Sequence, residues 1–212
     1  MSAEPPPATC SGHPVSVAIP PGKHLIRIHR QSAKYGPTDF SHKVPMPPEG
    51  GRFDTLDARY GHLYVAETPA GAVAEVLLRG KGGPSATNRI VPRAALVGRV
   101  MTVVEVLRPT SVVSLRGSDA GHVCQDAWLT KCESEDYPLT REWSAAIRGW
   151  QPTKCGFIWW ARRDEHELAL VLYDDRIPST DLRPIGPSVP LSHGAGLAMV
   201  VAILAGHNVT VA

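Results

Sequence analysis

Hydrophobic and polar positions alternate over His24–Arg30, HLIRIHR. Ile26 and Ile28 face one side and Leu25, Arg27 and His29 the other, which predicts a strand. A second pattern runs from Gly51 to Leu78. Gly50-Gly51 frees the backbone ahead of Arg52-Phe53-Asp54, Tyr60-Gly61 turns the chain, and the apolar, aromatic run His62–Ala66 predicts a short strand. Thr68-Pro69 predicts a helix start, since the Thr hydroxyl can accept from orphan amides and Pro is tolerated at the first helical position. Gly80 after Arg79 predicts its end. Ala72, Val73, Val76 and Leu77 form the apolar stripe, leaving Glu75 off its centre.

Further along, 89–106 is aliphatic and ambiguous between a short helix and strands, and Thr110–Leu115 predicts a strand. Leu139, Trp143, Ala146 and Ile147 share one face of a helix predicted over Pro138–Arg148, with Gly149 as its stop. Cys155–Ala161 and Leu168–Asp174 predict two strands around a charged turn, Arg162–Glu167. A last helix is predicted over Gly194–Ala205, ending at Gly206 before an extended tail, Asn208–Val211. Residues 1–22 are rich in Pro, Ser and Ala and are expected to be disordered, leaving 23–212 as one domain. The strands are short and turn-linked, so the fold class is α+β and not a doubly wound sheet. Gly80–Asn88 contains G-x-G-G but follows a helix, which gives no dinucleotide-binding βαβ unit.

Composition narrows the partners. With 212 residues, 43% hydrophobic and 20% charged, the chain can bury one sizeable core. A formal charge of +2 without a basic run gives no case for direct nucleic-acid binding, so any anion must be held by individual arginines. Cys10, Cys124, Cys132 and Cys155 lack C-x-x-C spacing. They are expected to be free thiols in a reducing cytosol, and no metal site is expected. The start, MSAEPPPATC, has neither a basic nor an apolar signal region, and Ala195–Ala205 is shorter than the ~20 residues a membrane span needs; a cytoplasmic location is the expectation.

The blocks LIRIHR, GRFD, YGHLYVAETPAGAVAE, SLRG, YPLTREW, GFIWWARRD and LALVLYDDR, in this order from Leu25 to Arg176, resemble the RES-domain family. LYVAETPAGAVAE is the most specific of them. The family takes its name from an arginine, a glutamate and a serine. The first two map to Arg27 and Glu75; Gly156, Trp159 and Arg162 fit the third motif, but Ala161 stands in the serine's place. The resemblance implies a fold similar to ADP-ribosyltransferase toxins, with mixed and antiparallel sheets, flanking helices and a cleft for NAD+. It implies NAD+ as a substrate, not as a resident cofactor. Many members are toxins of bacterial toxin–antitoxin pairs that destroy NAD+ by hydrolysis or phosphate attack. Others transfer ADP-ribose to a protein, and the antitoxin covers the cleft.

For that chemistry the residues divide the work. Nicotinamide leaves neutral from a cation, so no general acid is required, whereas the ribose carbon becomes oxocarbenium-like. Glu75 is the carboxylate expected to stabilise that charge. Arg27 and Arg52 are expected to grip the diphosphate or ribose, Tyr64 to flank the nicotinamide, and Trp159 and Arg162 to line the cleft. Each has a structural alternative. Glu75 could pair with Arg79 at i,i+4, Arg27 could be an edge charge, Asp54 could lock the turn around Arg52, Tyr64 could be core, Arg162 could pair with Asp164, and of Trp159 and Trp160, which alternate faces, one is expected in the core. Three functions stay open here: NAD+ degradation, ADP-ribosyl transfer to a macromolecule, and a binding module that has lost activity along with its serine.

Overall fold

The ambiguous stretch at 89–106 resolves into a strand, a 3-10 turn (Arg93–Leu96) and a second strand. The computed structural model describes residues 4–44, 50–78 and 89–212. Its strands are β1 (Ser16–Ile19), β2 (His24–Arg30), β3 (His62–Ala66), β4 (Arg89–Val91), β5 (Arg99–Val106), β6 (Thr110–Ser114), β7 (Gly156–Ala161), β8 (Asp164–Tyr173), β9 (Leu182–Pro190) and β10 (Val209–Val211). The helices are α1 (Pro69–Val73), α2 (Trp128–Lys131), α3 (Tyr137–Trp150) and α4 (Gly194–Gly206). Eight strands form one mixed sheet in the order β1-β6-β7-β8-β3-β2-β5-β9, in which only β6 and β7 run parallel; β10 and β4 form a small parallel pair.

Strand alternation sorts the core. On one face Leu25, Leu63, Val65, Val104, Ile158 and Leu170 pack with Phe40 and Ile177. On the other, Ile26, Ala66, Met101 and Ala161 pack under α1 and α4, while Phe157, Trp159 and Val171 pack under Trp143 and Ile147 of α3. These are the faces that the alternation of Ile26 and Ile28 against Leu25 and Arg27 predicts. Gly149 does not stop α3, which continues to Trp150. The charged turn is shorter than expected, because β8 already begins at Asp164.

The sheet parts between β2 and β3. These strands share the single pair Ile26–Ala66, whereas β2 and β5 pair at seven positions. The chain from 36 to 41 fills the opening: Ser41 bridges to His62, Phe40 is buried, and Arg27 Nη1 donates to Pro37 O at 2.5 Å and Gly36 O at 3.4 Å.

Two expectations are corrected at the N-terminus. Residues 4–22 are ordered, because β1 adds to β6 over four pairs and the indoles of Trp143 and Trp150 donate to Glu4 O and Ala8 O. That path lays Cys10 against the left-handed Cys124, and the two form a disulfide; only Cys132 and Cys155 are free, both buried. Among the described residues no helix is long and apolar enough to cross a membrane.

Candidate active site

The site begins at the corner between β3 and α1. Thr68 caps α1 as the sequence predicts, its hydroxyl accepting from the Gly71 amide at 3.0 Å, with Pro69 in the first turn. Past Val73 the helix widens into a π-turn, Ala74–Leu78, a form that is rare and frequently found at functional sites. Leu77 and Leu78 stay buried, while Glu75 is half-buried and aims its carboxylate at the end of β7. Glu75 Oε1 accepts from Trp159 Nε1 at 3.3 Å and from the Arg162 amide at 2.9 Å. Among the described residues nothing donates to Oε2. Arg79, the alternative partner, lies outside the described residues, as do Gly80 and the G-x-G-G stretch.

The arm from Gly51 to Thr55 is buried throughout, and side chains from three elements satisfy its backbone. Gly51 N donates to Asp54 Oδ2 at 2.6 Å and Phe53 N to the Tyr64 hydroxyl at 2.9 Å. Gly51 O accepts from Arg141 Nε, Arg52 O from the Thr140 hydroxyl and Phe53 O from the Tyr173 hydroxyl. A Cβ at residue 51 would fall 2.4 Å from both Asp54 Oδ1 and the Tyr64 hydroxyl, so only glycine fits. Asp54 locks the turn, as the alternative reading has it, yet it does not hold Arg52. The Arg52 guanidinium lies 5.4 Å over the Tyr137 ring and beside Cys132; the residue is 2% exposed, and among the described residues its Nε and Nη2 have no hydrogen-bond partner.

Tyr64 donates to Asp54 Oδ1 at 2.8 Å, which commits its hydroxyl to this knot and leaves the ring to face the site, edge-on to Trp159 at 6.3 Å. Asp54 Oδ1 also lies 3.2 Å from His62 Nε2. Burial lowers the His62 pKa, with Asp54 opposing, so the imidazole is neutral near pH 7.

Arg162 does not pair with Asp164, which instead meets His207 at 3.2 Å. Its guanidinium reaches Glu133 on the turn after α2. Burial lowers the Arg162 pKa, but the Glu133 contact outweighs it and holds the guanidinium above its usual value; the same bond lowers the pKa of Glu133. Burial raises the Cys132 thiol against the pull of Arg52. Ala161 is fully buried, and its carbonyl accepts from Lys131 Nζ at 3.3 Å. Trp159 is fully buried and reaches the site only through its indole bond to Glu75, while Trp160 faces out under Arg116, 5.9 Å from its guanidinium carbon.

The fold thus brings Glu75, Trp159, Arg162, Tyr64 and Arg52 to one side of the sheet, joined by Cys132 and Glu133, which carried no motif, and by Tyr137, which opens the YPLTREW block but was given no role in the sequence. Arg27 belongs to different neighbours, the Gly36–Asp39 turn and His62. Burial there lowers its pKa to about 10 against the raising effect of Asp39. Among the described residues no group of three or more His, Cys, Asp or Glu is placed to hold a metal ion.

The family model of the RES domain matches residues 24–193, most of the chain. The chain belongs to the RES-domain family. A chain in the crystal structure of the M. tuberculosis MbcT–MbcA toxin–antitoxin complex has a similar fold. It aligns with a TM-score of 0.59 over 89% of this chain and 92% of that one, at 16% identity. At that identity the similarity bears on the fold alone. No curated protein matches the chain. The RES match spans every element that builds the site, from Arg27 on β2 to Arg162 after β7.

Proposed function

We propose that this RES domain cleaves the bond between nicotinamide and ribose in NAD+, as the toxin of a toxin–antitoxin pair. One observation carries the reading: a carboxylate fixed at a π-turn, with one oxygen unclaimed among the described residues, shares a site with a buried guanidinium that has two donors unclaimed. A buried cation without an anion is costly, and a diphosphate supplies the missing acceptors. With Arg52 on the diphosphate and the edge of the site formed by Tyr64 next to the nicotinamide, Glu75 Oε2 is the oxygen for the ribose. The C–N bond breaks with its electron pair leaving on nicotinamide, and the positive charge that grows on the ribose carbon faces the carboxylate. Two N–H donors on Oε1 keep Glu75 from turning, so little reorganisation accompanies the charge. Water, which gives up one proton to solvent, or phosphate then bonds to the same carbon.

The similar fold in the MbcT–MbcA structure belongs to a toxin–antitoxin complex, which supports the partner half of the reading, a dedicated antitoxin protein. The test is incubation of the purified protein with NAD+, with and without phosphate and with a candidate acceptor protein. Free nicotinamide with ADP-ribose or its 1-phosphate supports NAD+ degradation. ADP-ribose found only on the acceptor protein indicates transfer, and no nicotinamide release under any condition overturns the proposal.

A further inference from the structure

At the other end of β8 a cavity of about 340 Å³ opens between the 56–60 turn and the C-terminal half of α3. Trp159 pairs with Ala169, so the Glu75 site lies toward the Asp164 end of β8, whereas this cavity lies beyond Tyr173. Its walls include Asp57, Arg59, Tyr60, Arg148, Asp175 and Arg176. Three guanidiniums against two carboxylates leave the cavity with a surplus positive charge.

Arg148 is the fixed part. Its side chain is 7% exposed, and its guanidinium carbon lies 3.5 Å from the Tyr60 centroid and 4.1 Å from that of Tyr173. Nη2 donates to Asp175 Oδ2 at 2.7 Å, and the same oxygen accepts from Arg176 Nε at 3.2 Å. One carboxylate therefore serves two cations. Arg148 Nη1 is buried and has no partner among the described residues. Neither tyrosine can supply the missing charge, because burial raises both phenol pKa values and keeps the rings neutral. Arg59, held only by the exposed Asp57 at 2.5 Å, is free to turn its guanidinium inward.

A guanidinium locked between two rings, with an unfilled donor and a second arginine on the shared carboxylate, is preorganised for a multi-oxygen anion. We infer that this cavity is a phosphate-binding site, separate from the NAD+ site and independent of the proposed reaction. Donors from three arginines suit a tetrahedral oxyanion better than a planar carboxylate. The phosphate can be inorganic or the end group of a small monoester.

Isothermal titration in a phosphate-free, chloride-matched buffer tests this, with inorganic phosphate and AMP as probes. Saturable one-site binding with Kd on the order of 1 mM or tighter is expected. Arg59→Gln/Arg176→Gln, which leaves the stacked Arg148 in place, should weaken it by roughly tenfold or more, and Arg148→Lys should weaken it similarly by removing the fork. Arg52→Met should leave it unchanged, which separates this site from the cleft. Measured in Arg52→Met, where the cleft no longer grips a phosphate, tighter binding of AMP than of phosphate identifies a monoester as the ligand, and equal or weaker binding identifies the inorganic ion. Absence of saturation up to roughly 20 mM, binding indifferent to the Arg59/Arg176 pair, or binding lost in Arg52→Met overturns the assignment.

Discussion

The Glu75 carboxylate accepts from the backbone amide of Arg162 at 2.9 Å, a contact no substitution at residue 162 short of proline removes. It ties α1 to the end of β7 across 87 residues of sequence. Glu75→Gln keeps an oxygen acceptor for this amide and for Trp159, so the fold should persist while the negative charge is lost. NAD+ cleavage should fall at least about a hundredfold with Tm nearly unchanged, the pattern for loss of a charge needed in the transition state. Steady-state rates beside a thermal melt check it; near-normal turnover would reduce Glu75 to a structural latch.

Arg52 gives a test in which stability and function should move in opposite directions. Its buried cation has two unsatisfied donor atoms among the described residues, so Arg52→Met removes a desolvation cost and fills similar space. The variant should be as stable as the parent or more so, by up to about 1–2 kcal/mol, while KM for NAD+ rises at least about tenfold. A variant that loses stability with KM unchanged would mark Arg52 as a core residue only.

Ala161 occupies the family's serine position, yet its side chain is fully buried in an apolar cluster with Ala72 and Val73. A hydroxyl added there meets a well-packed neighbourhood. Ala161→Ser should cost about 1–2 kcal/mol and lower Tm by roughly 2–8 °C. Turnover should stay within several-fold, since one hydrogen bond is worth about 0.5–1.5 kcal/mol. Differential scanning calorimetry and the nicotinamide assay read the two effects; a large gain in rate would show that the absent hydroxyl limits this enzyme.

His62 should impose an acid dependence on stability. Its folded pKa lies below the unfolded value of 6.5, so as pH falls through 6.5 the unfolded chain takes up a proton that the native protein refuses. Stability is therefore retained above that pH and lost below it, until the native imidazole is itself protonated. His62→Gln, which can still donate to Asp54, should flatten this part of the curve. Urea titrations of both proteins between pH 7 and roughly pH 5 make the comparison; parallel curves would assign the loss to other groups.

The Cys10–Cys124 bridge closes a loop of 114 residues. Cys10→Ser/Cys124→Ser should cost about 2–4 kcal/mol, since a bridge of this span restricts the unfolded chain strongly. Denaturant unfolding measures the loss. An intact mass two hydrogens lighter than the reduced chain would establish the bond.

Local signals read well. Thr68-Pro69 marked the helix start because its cap needs only three neighbouring residues, and the strands from β2 to β8 followed the alternation of Ile26, Leu63 and Ile158 with their neighbours. What escaped was long-range. Arg162 had an acidic residue two positions away, but β8 takes up Asp164 and the turn after α2 presents Glu133 instead. Cys132 and Tyr137 meet Arg52 only because the 51–55 arm is threaded under α3. Residues 4–22 look like solvated tail until β6 is there to receive Val17 and Ile19. The π-turn has no side-chain signature at all.

That π-turn sets a phase between two things the helix must do at once, present Glu75 to Trp159 and sink Leu77 and Leu78 into the core. A regular helix of the same sequence would satisfy one or the other. Deleting Val76, which only partly packs against the core, would restore regular winding and force a choice: either the carboxylate rotates off β7 or the leucines leave their seats. A change of length in this turn should silence the site as completely as the loss of its acid, although every named functional side chain would still be present.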